Sequence, residues 1–219
     1  MRNRLLDLIN ENPSIAGIKD DAGLRLVLKS DCRIVFILYG NVMTIPAIVQ
    51  KVKEHGKMAF INVDLIEGFS TKDIVIEYLK RHTQADGILS SKASVIKAAK
   101  VQGLFTIHRF FVIDSFSYHN LAKQVDISQP DCIEVMPGCM PKVISWVVGS
   151  IHLPVIAGGL VCDQEDAEAA LKAGAKAVSS TNPIVWALHV AAGGLEPEKK
   201  APKAIKIPNI FIDSQRNPQ

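Results

Sequence analysis

Short apolar runs alternate with amphipathic stretches along almost the whole chain. The runs are Ile15–Lys19, Arg33–Gly40, Met58–Ile66, Ala85–Ser91, Phe105–Asp114, Cys132–Gly138, Pro154–Leu160 and Lys176–Thr181. They are rich in Val, Ile and Phe and lack strict polar alternation, which is the texture of parallel strands buried on both faces. The stretches between them read as helices. Ile45–His55 is followed by Gly56 as a helix stop, and Gly103 plays the same part after Val95–Val101. Ser70-Thr-Lys-Asp73 predicts a helix start of capping-box type, with Asp in place of Glu. Asp163-Gln-Glu-Asp166 predicts another start, and that helix should stop at Ala173-Gly174.

Successive strand signals lie roughly 18 to 27 residues apart, the spacing of minimal right-handed βα units. An open doubly wound sheet and a closed barrel both fit this alternation. The count of eight favours an α/β fold of the (β/α)8 TIM type. No Gly-x-Gly-x-x-Gly follows the first strand, which weakens a dinucleotide-binding reading. Residues 2–11 predict an extra helix under the barrel. The texture changes after residue 194, so one barrel domain is expected over 1–195, with a Lys/Pro-rich tail over 196–219.

Composition narrows the classes. The 219 residues are 48% hydrophobic and 21% charged, which argues against wholesale disorder. Lys plus Arg is 25 and Asp plus Glu is 22, a net charge of +3, which excludes a protein that grips nucleic acid by bulk electrostatics. The tail carries five basic and three acidic residues, and so +2 of that charge. Cys32, Cys132, Cys139 and Cys162 form neither Cys-x-x-Cys nor a zinc-finger spacing, so reduced structural thiols are expected. The N-terminus lacks a signal-peptide apolar core and no run is long enough to span a bilayer. A cytoplasmic protein without membrane contact is the expectation. His55, His82, His119, His152 and His189 form no ligand spacing, so no metal and no cofactor is expected.

In βα barrels the working groups lie at the C-terminal ends of strands. The sharpest signal is at strands seven and eight. Gly158-Gly159 let the backbone approach an anion, and Ser179-Ser180 with Thr181-Asn182 add hydroxyls ahead of Pro183 at a helix start. That layout predicts a phosphate site, against the alternative of a plain tight turn. Arg109 stands in an apolar strand, where a charge is costly unless paired. It could grip a ligand with its planar fork, or close an internal salt bridge with Glu134 or Asp64. Asp64 and Glu134 could act as general acid and base, or hold the hydroxyls of a polyol; the holding role is favoured because no His cluster accompanies them. Lys19, at the end of strand one, joins the candidates, whereas His108 alternates to the other face of its strand. Strand six carries no lysine, so a Schiff base formed there is not supported.

Several blocks, taken together and in order, resemble one family. They are Asn62-Val-Asp-Leu-Ile-Glu-Gly68, Asp86-Gly-Ile-Leu-Ser-Ser-Lys92, Ile107-His-Arg-Phe-Phe-Val-Ile-Asp-Ser115, Pro130-Asp-Cys-Ile-Glu-Val-Met-Pro-Gly138, Pro154-Val-Ile-Ala-Gly-Gly-Leu160 and Val178-Ser-Ser-Thr ahead of Trp186. The resemblance is to the glycerol-3-phosphate-responsive antiterminators and covers residues 10–190. Asn62, His108 and Met136 depart from residues common in that family, which have His, Gln and Leu at these places. The resemblance implies a regulator that binds glycerol 3-phosphate and the leader mRNA of glycerol-utilisation genes, and that is not an enzyme. On this reading the phosphate rests on Gly158, Gly159, Ser179 and Ser180, and Lys19, Asp64, Arg109 and Glu134 hold the glycerol end. Lys92, Lys97 and Lys100 on one predicted helix are candidates for RNA contact, with a solvated helix face as the alternative. A homo-oligomer is left open. The rival function is a phosphosugar lyase or isomerase using Asp64 or Glu134 as acid or base.

Overall fold

The computed structural model describes residues 2–70 and 72–187. The expected domain end at 195, the tail over 196–219 and His189 lie outside them.

Eight parallel strands close into a barrel in chain order. They are β1 (Ser14–Ile18), β2 (Ile34–Ile37), β3 (Met58–Asn62), β4 (Gly87–Ser90), β5 (Phe105–Phe111), β6 (Cys132–Met136), β7 (Val155–Gly158) and β8 (Ala177–Ser180). Closure is made by β1 pairing with β8, in the register Ser14↔Val178, Ile15↔Ser179 and Ala16↔Ser180. That pairing excludes the open sheet. The helices are α1 (Arg2–Glu11), α2 (Asp21–Leu28), α3 (Ile45–Glu54), α4 (Asp73–His82), α5 (Ala93–Val101), α6 (Ser115–Ser128), α7 (Pro141–Ser150), α8 (Gln164–Lys172) and the four-residue α9 (Pro183–Trp186).

Alternation along each strand sorts the side chains into two cores. Outward residues such as Val35, Ile37, Ile61 and Ile88 pack under α2–α5, and Ile133, Val135, Val155 and Ala157 pack under α6–α8. Inward residues fill the lower barrel. Phe36, Phe60 and Phe105 meet edge to face there, with ring centroids 5.9 and 5.8 Å apart. Leu5, Leu8 and Ile9 of α1 join this cluster and plug the N-terminal end, so the expected extra helix is present and closes the floor. With apolar rings below and α1 beneath them, only the C-terminal mouth is left for polar chemistry.

Local chemistry explains most boundaries. Asp163 accepts from the Asp166 N–H at 2.9 Å and caps α8, as its sequence predicts. Gly56, Gly103 and Gly174 all sit at positive φ after α3, α5 and α8. Two expectations need correction. The run from Met58 does not stay extended to Ile66: β3 stops at Asn62, whose side-chain oxygen accepts from the Asp64 N–H at 3.1 Å and starts a 3-10 turn over Val63–Leu65. And α4 starts from Lys72 with no side-chain cap, so no capping box forms at Ser70. A capping box does form on α6, where Asp114 accepts from the Ser117 N–H at 2.7 Å and the Ser117 hydroxyl faces back.

Candidate functional site

At the C-terminal mouth a cleft of about 440 Å³ is lined by Arg109, Glu134, Met136, residues 159–162 and residues 179–182, with Gly17, Phe36, Leu38 and Leu65 on the remaining wall. Its centre is an ion pair. Parallel register sets Arg109 beside Glu134, and both side chains point inward. Arg109 Nε donates to Glu134 Oε2 at 2.6 Å, and the Ser179 hydroxyl donates to Glu134 Oε1 at 2.6 Å. The side chains are only 11% and 1% exposed. Glu134 thus has both oxygens occupied. Among the described residues the terminal nitrogens of Arg109 have no acceptor. A buried guanidinium with a free fork at the edge of a cleft is a receptor for a planar or tetrahedral anion.

The loops after β7 and β8 form the adjoining wall. Gly158 lies behind Glu134: a Cβ there would run into Glu134 Oε1 and would sit 2.5 Å from the Ser179 hydroxyl. This glycine is therefore required by the buried carboxylate, a reason distinct from anion approach. Gly159 takes φ +72°, and Leu160 follows at +56°, a left-handed backbone that costs a branched aliphatic residue energy. Among the described residues the N–H groups of Leu160 and Thr181 have no acceptor, so two backbone donors remain at the rim. The Ser180 hydroxyl donates to the Val161 carbonyl at 2.7 Å and accepts from the Asn182 N–H at 3.1 Å; Asn182 in turn reaches the Cys162 carbonyl at 2.6 Å. These bonds pin the two loops to each other.

Of the residues singled out in the sequence, Arg109, Glu134, Gly159, Ser179 and Ser180 come together at this cleft, and Gly158 supports it from behind. Asp64 does not join them. The turn after Asn62 swings it toward β4, where it accepts from Ser90 Oγ at 2.7 Å and from the Ser91 N–H and hydroxyl at 2.6 and 2.9 Å. Lys19 is exposed at the end of β1 and is not among the lining residues. Lys92, Lys97 and Lys100 are exposed on or beside α5; Lys100 is engaged with the Gln129 carbonyl at 2.5 Å and with Asp131 at 3.3 Å. Sequence reasoning missed Leu38, Leu65, Met136 and Cys162 as lining residues. Cys162 stands two residues past Leu160, and that proximity to the paired glycines was the available signal.

His108 faces away from the cleft and is buried, as alternation along β5 predicts. Its Nε2 lies 3.3 Å from the Ser91 carbonyl and its Nδ1 2.9 Å from the Ser128 hydroxyl. The carbonyl can only accept, which places the ring proton on Nε2. Burial holds its pKa below the ordinary 6.5. The unfolded chain then binds the extra proton first, so stability is full above about pH 6.5 and falls as the pH drops below it. A His108→Gln variant should show a flatter melting temperature between pH 7 and 5 than the wild type. Parallel curves would remove His108 as a source of acid sensitivity.

A closed (β/α)8 barrel with a guanidinium-centred cleft at its C-terminal mouth is the class that fold and site define. Comparison with known proteins narrows it. The family model of glycerol-3-phosphate-responsive antiterminators matches residues 14–186. An uncharacterised Escherichia coli K12 protein, YgcP, is 56% identical over 184 residues, covering 84% of this chain and 96% of the relative. Among solved structures, the glycerol uptake operon antiterminator regulatory protein of Listeria monocytogenes superposes with a TM-score of 0.78 at 30% identity, covering 81% of this chain and 96% of that one. A glycerol uptake operon antiterminator-related protein of Thermotoga maritima gives a TM-score of 0.71 at 28% identity, over 80% and 98% of the two chains. The chain belongs to the glycerol-3-phosphate-responsive antiterminator family. Among the described residues no helix is long and apolar enough to cross a membrane.

Proposed function

We propose that this chain is a cytoplasmic, glycerol-3-phosphate-responsive regulator that binds the leader mRNA of glycerol-utilisation genes and lets transcription pass a terminator. The observation that carries the reading is the free fork of Arg109, held over the cleft by Glu134. The phosphate is placed between that fork and the loops after β7 and β8, on the N–H groups of Leu160 and Thr181, beside Gly159 and Ser180. Gly158 and Ser179 then act on the ligand through Glu134. The glycerol end lies toward Glu134 and Met136. Lys19 and Asp64 stand outside this core set: Asp64 holds the β4 loop in place, and Lys19 is left as a charge at the mouth.

The rival enzyme reading needs a carboxylate free to exchange a proton. Glu134 is fully buried, salt-bridged and hydrogen-bonded at both oxygens, and Asp64 accepts three hydrogen bonds. These are holding geometries, and they favour a regulator over an acid–base enzyme. Ligand binding controls RNA only to the extent that the two protein states bind the ligand differently. The test combines three readings: the melting temperature with glycerol 3-phosphate, retention of leader RNA with and without it, and turnover of triose phosphates. A melting rise with ligand-dependent RNA retention and no turnover is expected. Turnover without RNA retention overturns the regulator.

Cys162 supplies an independent probe of the same cleft. It is exposed at the rim, whereas the buried Cys32 thiol has its pKa pushed up to about 11 by desolvation. A maleimide should therefore label Cys162 well before Cys32, and saturating glycerol 3-phosphate should slow Cys162 labelling several-fold. An unchanged labelling rate in ligand would place the effector elsewhere.

A further inference from the structure

Aromatic side chains are concentrated on one flank of the mouth, beside the cleft and outside it. Phe111 and Phe116 are 54% and 67% exposed. Tyr118 packs edge-on against Trp146, with centroids 6.1 Å apart, and against His119 at 5.5 Å. The Lys142 ammonium sits over the Trp146 ring, 5.5 Å from its centroid. Next to them, between the β5–α6 and β6–α7 loops, lies a mostly apolar groove of about 480 Å³, lined by Val112, Ile113, Tyr118, Met140, Val143 and Trp146 together with Asp114, Ser115 and Pro137. The Trp146 indole N–H is buried there with no acceptor among the described residues. A buried indole donor ordinarily has a partner.

We propose that this groove seats an unpaired base of single-stranded RNA, and so locates the RNA surface of the antiterminator reading on which it rests. Single-stranded nucleic acid is held by aromatic faces that stack bases, interleaved with cations that meet the backbone. Tyr118 and Trp146 supply faces within the groove, Phe116 and Phe111 supply exposed rings next to it, and Lys142 over the Trp146 ring supplies the positive charge. Asp114 is the one carboxylate of the lining. It caps α6 through the Ser117 N–H, and a carboxylate edge accepts from a base amino group. A few contacts of this kind also suit a chain whose net charge is only +3. The α5 lysines lack any aromatic interleaving of this kind.

The groove shares a wall with the effector cleft. Met136 lines the cleft, and Pro137 and Met140 line the groove. Between them the Gly138 N–H donates to the carbonyls of Gly158 and Gly159 at 2.6 and 2.8 Å. A ligand that resets the β7 loop therefore shifts the groove wall directly, which links effector to RNA through a single loop.

The experiment uses the full chain, leader transcripts of glycerol-utilisation genes carrying 4-thiouridine, and glycerol 3-phosphate. Cross-links are expected within residues 111–118 and 140–146. Phe116→Ala, a change at an exposed helix position, should weaken binding about tenfold, within the range for loss of one stacked base. Lys142→Ala should lower the slope of log affinity on log salt by about 1, and Val101→Ser, at the exposed far end of α5, should leave binding unchanged. Duplex RNA of the same sequence should compete poorly. Binding by the wild type with cross-links on α5 and full affinity in Phe116→Ala overturns the groove but leaves the antiterminator reading standing. No retention of any transcript, with or without effector, overturns both. A groove that is really a contact between copies of this chain would appear in sedimentation as a dimer lost in Phe116→Ala while RNA affinity is kept, and that outcome also overturns the proposal.

Discussion

Replacing Glu134 by alanine is expected to lower the unfolding free energy by about 3–5 kcal/mol, the cost of stranding one partner of a buried ion pair, and to abolish the melting rise in glycerol 3-phosphate. The magnitude follows from burial. With side-chain exposures of 11% and 1%, solvent does little to screen the Arg109–Glu134 pair. Loss of the carboxylate leaves the guanidinium charged without its partner, strands the Ser179 hydroxyl and opens a void in front of Gly158. For a domain of this size the melting temperature should drop by roughly 6–20 °C. Arg109→Ala should cost a comparable amount, since it strands Glu134 instead. The double variant should cost less than the two singles added together, because neither charge is then left alone. Glu134→Gln separates stability from recognition: it keeps the shape and an oxygen for Arg109, and should recover more stability than effector affinity. Melting within 2 °C of wild type for Glu134→Ala would mean that the pair is solvated and the cleft is not built around it.

Phe60→Ala should destabilise by about 3–5 kcal/mol, the usual cost of deleting a buried ring. Phe60 is fully buried in the barrel and makes edge contacts with both Phe36 and Phe105. The strands around it are tied into a closed ring, so little backbone can collapse into the space left behind. Phe36 also lines the floor of the effector cleft, so the variant should bind glycerol 3-phosphate more weakly as well as unfold earlier. Urea denaturation checks this, with the midpoint falling and the slope unchanged. A loss below 1 kcal/mol would show that the interior refills. Phe60→Leu should be the milder change, at roughly 1–2 kcal/mol.

Strand placement was legible because fully buried parallel strands leave unbroken Val, Ile and Phe runs, and each of the eight runs overlaps a strand. Edges were less legible. The Met58–Ile66 run is apolar throughout, yet a single side-chain acceptor at Asn62 bends it into a turn. Alternation beyond that point no longer holds, which is why Asp64 faces Ser90 and Ser91 and leaves the cleft to Glu134. Where a strand does continue, as from His108 to Arg109, alternation places both side chains correctly. The helix after Ser70 opens at Asp73 as its sequence predicts but without the expected capping box, because residue type alone does not show which donors need a cap.

The sequence by itself determined the number and kind of elements, the inward and outward faces of the strands, and the blocks that assign the family. Those depend on local periodicity and residue type, which a linear chain carries in full. Only the tertiary structure decided who meets whom across the mouth. Parallel register sets Arg109 against Glu134, closure brings β8 and its Ser179 to the same carboxylate, and Gly158 must lack a side chain because that carboxylate occupies the space. A charge in an apolar strand announces that a partner is needed. The identity of that partner is a property of strand order and stagger, and neither exists until the barrel closes.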